Sequence, residues 1–254
     1  MTSKIPKYIK QIKKDGFIAF LRERKNRHQR KWRYQSMLKI NSYKERFEKI
    51  YEQNLWNSKE TKSGEGSEID YTESLRNHLP NLIEKYEIKS IVDAPCGDFN
   101  WIKLVLLKVN IQYTGLDIVE TIIRENQKQF ASGKINFSQA DICRDPLPQC
   151  DLLIVRDFLI HLSFEDINQF LQNISQSKYK YLLTNSYIVK EDFINRDIIT
   201  GDGRVIDMFK PPFEFSQASV LERIQDYPEG YLPKREMVMF YKKDVPQQIR
   251  TIDA

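Results

Sequence analysis

The chain has 254 residues, of which 41% are hydrophobic and 30% are charged, a composition typical of a globular protein large enough for one α/β domain. No run approaches the roughly 18 apolar residues that a membrane-spanning helix needs, and the N-terminus lacks the apolar core of a secretion signal. We therefore expect a cytoplasmic protein whose three cysteines, Cys96, Cys143 and Cys150, are reduced thiols.

Positive charge is concentrated at the N-terminus. Residues 1–50 contain 16 Lys and Arg against 4 Asp and Glu, a net charge of +12, so residues 51–254 hold 24 against 31, a net charge of −7. A basic segment of this kind can bind the anionic inner face of a membrane or a nucleic acid. Alternatively, it is a solvated helical extension that docks on its own protein or on the second subunit of a homodimer.

The spacing of apolar residues divides the chain into a basic helical extension, residues 1–55, and a domain, residues 56–254. In the extension, apolar residues recur at helical intervals within 8–34 and 43–55, which predicts amphipathic helices. The domain opens with a polar, glycine-containing stretch that predicts a loop over 57–70, followed by a predicted helix over 72–85.

Strand-like and helix-like segments then alternate. The predicted strands cover 90–94, 111–117, 135–139, 151–155 and 179–184, and the predicted helices cover 99–108, 120–130 and 164–176. Such alternation is typical of a parallel sheet with helices on both faces. Two further strands, 220–224 and 236–241, flank a turn and predict an antiparallel end to the sheet. The expected fold is α/β: a doubly wound, mostly parallel, seven-stranded Rossmann-like sheet after an N-terminal helical extension.

Acidic residues follow the first three strands: Asp93, Asp117 and Asp141. In open parallel sheets ligands bind at these strand ends, and an acid after the second strand can bind a ribose diol. Asp141 and Ile142 are placed to meet an adenine. The turn after the first strand contains Pro95 and Gly97, and only one of the three glycine positions of a dinucleotide-binding turn is kept. A cofactor without a pyrophosphate is therefore favoured over NAD or FAD. Each acid, taken singly, could instead cap a turn.

The segments VDAPCGDFNW, YTGLDIV, QADI and DLLIVRDFLIHL resemble the class I S-adenosylmethionine-dependent methyltransferases, and in particular a bacterial branch whose first motif reads DAPCGDFNW. The resemblance runs from about residue 56 to 241. It implies S-adenosylmethionine as the cofactor and methyl transfer as the activity. It also implies that further residues contact the cofactor, namely Gly66, Thr72, Trp101 and Ile118.

Asp157 and His161 follow the fourth strand, four residues apart, so on a helix they share a face. A histidine there can act as general base and an aspartate can orient it or take the proton itself, which makes this pair the catalytic candidates. The alternative is that Asp157 caps the helix and His161 packs against it. Arg156 can bind a carboxylate or phosphate of the substrate, or form a surface ion pair.

The polar and aromatic stretch after the fifth strand predicts an acceptor pocket that includes Tyr187, Asn195 and Arg204, or else a cover over the sheet. No metal-binding pattern is present. The favoured function is methylation of a small or glycan-linked acceptor in polysaccharide biosynthesis, with oxygen as the favoured acceptor atom and peripheral membrane contact through residues 1–50. The alternatives are an RNA-directed methyltransferase and a non-catalytic protein that binds S-adenosylmethionine.

Overall fold

The computed structural model describes residues 31–213 and 215–250, which fall into two compact units divided between Asn41 and Ser42. In the first unit, residues 31–37 are helical. The second unit has helices α1 (Tyr43–Glu52), α2 (Glu73–Lys85), α3 (Ile102–Leu106), α4 (Glu120–Phe130) and α5 (Phe164–Gln176). Its strands are β1 (Ser90–Asp93), β2 (Gln112–Asp117), β3 (Ile135–Gln139), β4 (Leu152–Val155), β5 (Tyr181–Tyr187), β6 (Glu222–Gln225) and β7 (Arg235–Tyr241).

Across the described residues the seven strands form one sheet in the order β3-β2-β1-β4-β5-β7-β6. Strands β1 to β5 are parallel to their neighbours, and β7 lies antiparallel between β5 and β6. The predicted doubly wound, mostly parallel sheet is therefore confirmed. Chain order reverses direction beside β1, because β1 pairs with β2 on one side and β4 on the other. This switch point is where open α/β sheets form their ligand crevice.

Hydrophobic patterning explains the layers. All four residues of β4 are buried, as expected for a central parallel strand covered by helices on both faces. In α2 the predicted apolar face is buried through Leu75, Leu79 and Leu82. Helix α5 begins after an N-cap, since the Ser163 hydroxyl accepts a hydrogen bond from the amide of Asp166 at 3.1 Å.

Two helix expectations differ from the structure, each at a residue with a left-handed backbone. The helix predicted to start at Phe99 starts at Ile102, because Phe99 has φ +60° and cannot continue a right-handed helix. The helix assumed to carry Asp157 and His161 is also absent. Asp157 has φ +54°, and only a short 3-10 turn, Leu159–His161, follows it. The two side chains therefore do not share a helical face.

The remaining differences are at element ends. Helix α1 stops at Glu52, β5 runs on to Tyr187, and the boundary predicted between residues 55 and 56 falls inside the second unit, which starts at Ser42. The predicted helix over 8–34 lies mostly outside the described residues. None of the described helices is long and apolar enough to cross a membrane.

Candidate functional site

A cavity of about 310 Å³ opens at the carboxyl ends of the parallel strands. Its lining brings together most of the residues predicted from the sequence: Gly66, Asp93, Pro95, Gly97, Trp101, Asp117, Ile118, Asp141, Ile142, Arg156, Asp157, His161 and Tyr187. The convergence of residues from five different strand ends and a preceding loop marks this cavity as the candidate site.

Asp117, at the end of β2, is held by backbone amides. Its Oδ2 accepts a hydrogen bond from Gly97 N at 3.1 Å, and its Oδ1 accepts one from Val119 N at 3.0 Å. Each carboxylate oxygen has a second lone pair, so the group can also accept hydrogen bonds from a ligand diol. Burial raises the pKa of Asp117 to about 6, against the opposing effect of the amides.

Asp93, at the end of β1, is more deeply enclosed. Its Oδ2 accepts a hydrogen bond from the Tyr113 hydroxyl at 2.9 Å, and burial raises its pKa to about 7. The hydrogen bond from Tyr113 and the charge of Arg156 favour the ionised form of Asp93, but they do not offset the desolvation of its carboxylate. Asp93 is thus a buried acid at the end of β1 that lies in the cavity wall.

Asp141 lies under helix α1. Its carboxylate accepts hydrogen bonds from the Tyr43 hydroxyl and from Cys143 N, the latter at 3.1 Å. Phe47, one turn further along α1, also lines the cavity. Helix α1 therefore closes the β2–β3 side of the site, where the predicted adenine contacts Asp141 and Ile142 lie.

The first turn is tied to a preceding loop, Thr61–Ser67. The Asp98 carboxylate accepts hydrogen bonds from the Thr61 and Ser63 hydroxyls at 2.5 and 3.0 Å and from Lys62 N at 3.0 Å. Asn100 donates one to Ser67 O at 3.0 Å. Asp98 and Asn100 thus hold this loop over the site rather than facing the cavity.

The same loop explains why residue 97 is a glycine. Its φ is +54°, and a Cβ there would lie 2.5 Å from the Ser63 hydroxyl oxygen. A glycine in this turn would be expected to clear space for a ligand. In the structure the space that its side chain would need is filled by Ser63, and Gly97 meets the cavity through its backbone.

Four charged side chains form a neutral cluster at the β4–β7 side of the cavity. Asp226 is fully buried and binds Arg156 Nη2 at 3.0 Å and Arg235 Nε at 3.0 Å. Asp157 binds Arg235 Nη1 and lies 3.3 Å from Arg156 Nη1. Burial alone would raise the pKa of Asp157, but the guanidinium groups of Arg235 and Arg156 hold it below its usual value. Asp157 is therefore a poor proton acceptor near neutral pH.

His161 has the properties of a base. Its Nδ1–H donates to the carbonyl oxygen of Asp202 at 2.8 Å, and because a carbonyl can only accept, Nε2 carries the free lone pair. Burial lowers the pKa of His161, which keeps the ring neutral at pH 7. Its ring packs against Trp56, with 5.5 Å between centroids.

Three predicted contacts do not reach the cavity. Thr72 is buried beneath the start of α2, where its hydroxyl donates to Glu68 O at 2.9 Å. The Asn195 amide holds a loop, donating to Asp207 O and Pro211 O at 2.9 Å each. Arg204 is buried and donates to Leu162 O. In each case the side chain donates to a backbone carbonyl outside the cavity lining.

The sequence interpretation missed several lining residues: Tyr43, Phe47, Trp56, Ile160 and Arg235. Phe47 was predicted only as part of a helix face. Arg235 gave no local signal, because its position depends on the pairing of Tyr187 with Arg235 across β5 and β7.

The chemistry of the lining fits an adenosyl cofactor without phosphates. Acids at neighbouring strand ends can bind a diol and an amine, whereas the turn that would approach a pyrophosphate has Pro95 and the inward-facing, buried Phe99 at two glycine positions. Throughout the part of the chain that the structure describes, no cluster of three His, Cys, Asp or Glu side chains could hold a metal ion.

Residues 91–177, from β1 to the end of α5, match the protein-family model described as "Methyltransferase domain". This stretch of the chain is therefore similar to methyltransferase domains. No curated protein matches its sequence significantly.

Solved structures of several methyltransferases share the fold of this chain. Human N-acetylserotonin methyltransferase in complex with SAM has a TM-score of 0.51 at 15% identity, over 67% of this chain and 52% of that one. Magnesium protoporphyrin IX methyltransferase from Synechocystis, with bound SAH, has a TM-score of 0.52 at 11% identity, over 80% and 94%. Mitomycin 7-O-methyltransferase has a TM-score of 0.50 at 14% identity, over 68% of this chain and 54% of that one. The matched part of this chain thus spans about half the length of the human and mitomycin enzymes.

Proposed function

We propose that the protein is an S-adenosylmethionine-dependent methyltransferase that acts on a hydroxyl group of a small or glycan-linked acceptor. One observation carries the proposal: Asp117 and Asp141, at neighbouring strand ends, line the same cavity as a neutral histidine with a free Nε2. The family match over residues 91–177 supports the same activity.

The residues divide between holding the cofactor and serving the acceptor. Asp117 would accept the two ribose hydroxyls, and Asp141 with Ile142 would meet the adenine edge and face. S-adenosylmethionine supplies an electrophilic methyl group when bound. His161 Nε2 takes the proton of the acceptor hydroxyl, while the Nδ1–H bond to Asp202 O fixes the tautomer and the ring orientation.

The acceptor side of the cavity supports a polar acceptor. Tyr71 and Tyr187 provide aromatic walls, and Glu65 and His161 provide hydrogen-bonding groups in the same lining. Aromatic faces with a few convergent polar groups suit a sugar-like molecule. Transfer to oxygen is favoured because a neutral histidine base matches a hydroxyl whose proton must be removed.

Calorimetric titration with S-adenosylhomocysteine (SAH) tests the cofactor assignment. We expect Asp117→Ala to weaken binding by about 10- to 100-fold, the loss expected for two hydrogen bonds to a charged acceptor. Asp192→Asn, an exposed acid outside the cavity, is the control and should leave the affinity unchanged. Equal affinities for both variants would remove the role of Asp117.

A labelled-methyl screen of cell extracts then tests catalysis. Radiolabel that appears in a lipid-linked or soluble glycan fraction supports the proposed acceptor. Label in RNA would support the alternative of an RNA methyltransferase, for which the basic N-terminal residues 1–50 are the favouring observation. Tight SAH binding without any labelled product would support a non-catalytic binding protein.

The proposed cytoplasmic location depends on the apolar pattern of the sequence, and the proposed membrane contact through residues 1–50 depends on charge alone. A net charge of +12 favours binding to anionic lipid. Flotation with vesicles containing phosphatidylserine tests this, with neutral phosphatidylcholine vesicles as the control. If the protein does not bind anionic vesicles at low salt, the membrane proposal is contradicted. Analytical ultracentrifugation separately tests the proposed homodimer.

A further inference from the structure

The charged cluster at the β4–β7 side of the cavity contains an unused hydrogen-bond donor. Arg235 donates through Nε to Asp226 O at 2.9 Å and through Nη1 to Asp157, but its buried Nη2 has no hydrogen-bond partner. The side chain is 4% exposed and lines the cavity. An unpaired guanidinium nitrogen in such a place costs free energy unless a ligand completes it.

The unpaired donor lies next to a partly accessible acid. Asp157 keeps 22% of its side chain exposed, although Arg156 and Arg235 contact it. Gly66 lies against both groups: a Cβ on Gly66 would be 2.4 Å from Asp157 Oδ2 and 3.3 Å from Arg235 Nη2. A cation and an anion are therefore presented side by side beneath the Thr61–Ser67 loop, with no side chain at Gly66 to cover them.

Opposite charges at adjacent positions match the two ends of an α-amino acid. We propose that Asp157 and Arg235 bind the amino-acid tail of the cofactor, Asp157 its ammonium group and Arg235 Nη2 its carboxylate. The inference rests on the proposed function, because S-adenosylmethionine carries this zwitterion. It makes both residues positioning groups for the cofactor, in place of the catalytic role that the sequence suggested for Asp157.

The sheet places this pair at a suitable separation from the ribose site. Asp117 follows β2 and Asp157 follows β4, and the two strands lie on either side of β1. Two strand spacings amount to about 10 Å, which the thioether chain between the ribose and the amino acid can span. The pair also supplies what the first turn lacks. Pro95 has no amide hydrogen, and the amides of Cys96, Gly97, Asp98 and Phe99 already donate to acceptors within the protein.

Three ligands separate the two charges in a calorimetric titration that needs no turnover: SAH, its decarboxylated analogue S-adenosyl-3-thiopropylamine, and 5′-methylthioadenosine, which lacks the whole amino acid. For the wild-type protein we expect SAH to bind about 10-fold or more tightly than the decarboxylated analogue, since a charge-assisted hydrogen bond is lost. Equal affinities for these two ligands would overturn the assignment of the carboxylate to Arg235.

Two variants then assign the residues. Arg235→Lys keeps the charge but loses Nη2, and we expect about 10- to 100-fold weaker SAH binding with unchanged methylthioadenosine binding. Asp157→Asn should weaken SAH and the decarboxylated analogue alike, and spare methylthioadenosine. Arg223→Lys, an exposed arginine of β6, is the matched control. A uniform loss for all three ligands in either variant would mean a structural role and would overturn the proposal.

The failure of this inference is distinguishable from failure of the proposed function. If wild-type protein binds methylthioadenosine and Asp117→Ala abolishes that binding, the proposed adenosyl site is supported, whether or not Asp157 and Arg235 bind the amino-acid tail. Should Arg235→Lys fail to fold, the wild-type comparison of SAH with its decarboxylated analogue still decides. Failure of all three ligands to bind the wild-type protein would overturn both.

Discussion

Burial of Asp93 should make the free energy of unfolding depend on pH. Its pKa is raised by burial from 3.8 to about 7, so the folded state holds a proton that the unfolded chain releases. A raised acid pKa means that stability falls as pH rises from about 4 to 7. A shift of about 3 pKa units changes the free energy of unfolding by about 4 kcal/mol over the full titration. About 3 kcal/mol of this change occurs between pH 5 and pH 8.

Asp93→Asn removes the titration and keeps an oxygen that can accept the Tyr113 hydroxyl hydrogen bond, 2.9 Å long in the native protein. We expect the free energy of unfolding of the variant, relative to wild type, to rise by up to about 3 kcal/mol between pH 5 and pH 8. Urea unfolding followed by circular dichroism at several pH values measures it. Asp192→Asn, at an exposed position, should show no such trend. A pH-independent difference between Asp93→Asn and wild type would refute the reasoning.

Three further variants test other parts of the site. His161→Gln should leave SAH affinity nearly unchanged but lower methyl transfer by about 100-fold or more, whereas the exposed His78→Gln should not; equal rates would remove the base role. Gly66→Ala should lower the free energy of unfolding by about 1–3 kcal/mol, because its Cβ would overlap Asp157, while Gly133→Ala, with open space around it, should not. Phe99→Gly should be less destabilising in urea than Phe99→Ala by about 1 kcal/mol, because φ there is +60°; the opposite order would contradict a backbone cost at this position.

The sheet could be predicted from the sequence because each strand and helix is indicated by residues within or next to it. Apolar runs such as Leu152–Val155 and the capping Ser163 identify strands and helices without knowledge of their neighbours. The same holds for acids at strand ends, since Asp117 needs only the end of β2 to be placed. The combination of an alternating pattern with acids at successive strand ends therefore predicts both the fold and the acids that line the cavity at those strand ends.

The other side of the site depends on contacts between distant parts of the chain. Arg235 reaches Asp157 only because β7 inserts antiparallel beside β5, which no residue near either position indicates. Tyr43 belongs to a helix that the sequence assigned to the extension, yet its hydroxyl binds Asp141. Polar residues such as Asn195 were overinterpreted for the converse reason: its amide holds the backbone of its own loop, and the residue type alone does not reveal that.

The departure from the glycine pattern in the first turn changes the chemistry of the whole cavity. Phe99 occupies a glycine position with a left-handed backbone, and its ring packs edge-on against Phe137, with 5.0 Å between centroids. The side chain therefore strengthens the core beneath the turn instead of blocking the crevice. Because the turn no longer offers a glycine-lined approach, the ligand must be held from elsewhere: by Asp117 at one end and, on our proposal, by Asp157 and Arg235 at the other. A cofactor with a neutral ribose and a zwitterionic tail satisfies both ends, whereas a dinucleotide would place its pyrophosphate against Pro95 with no compensating amides.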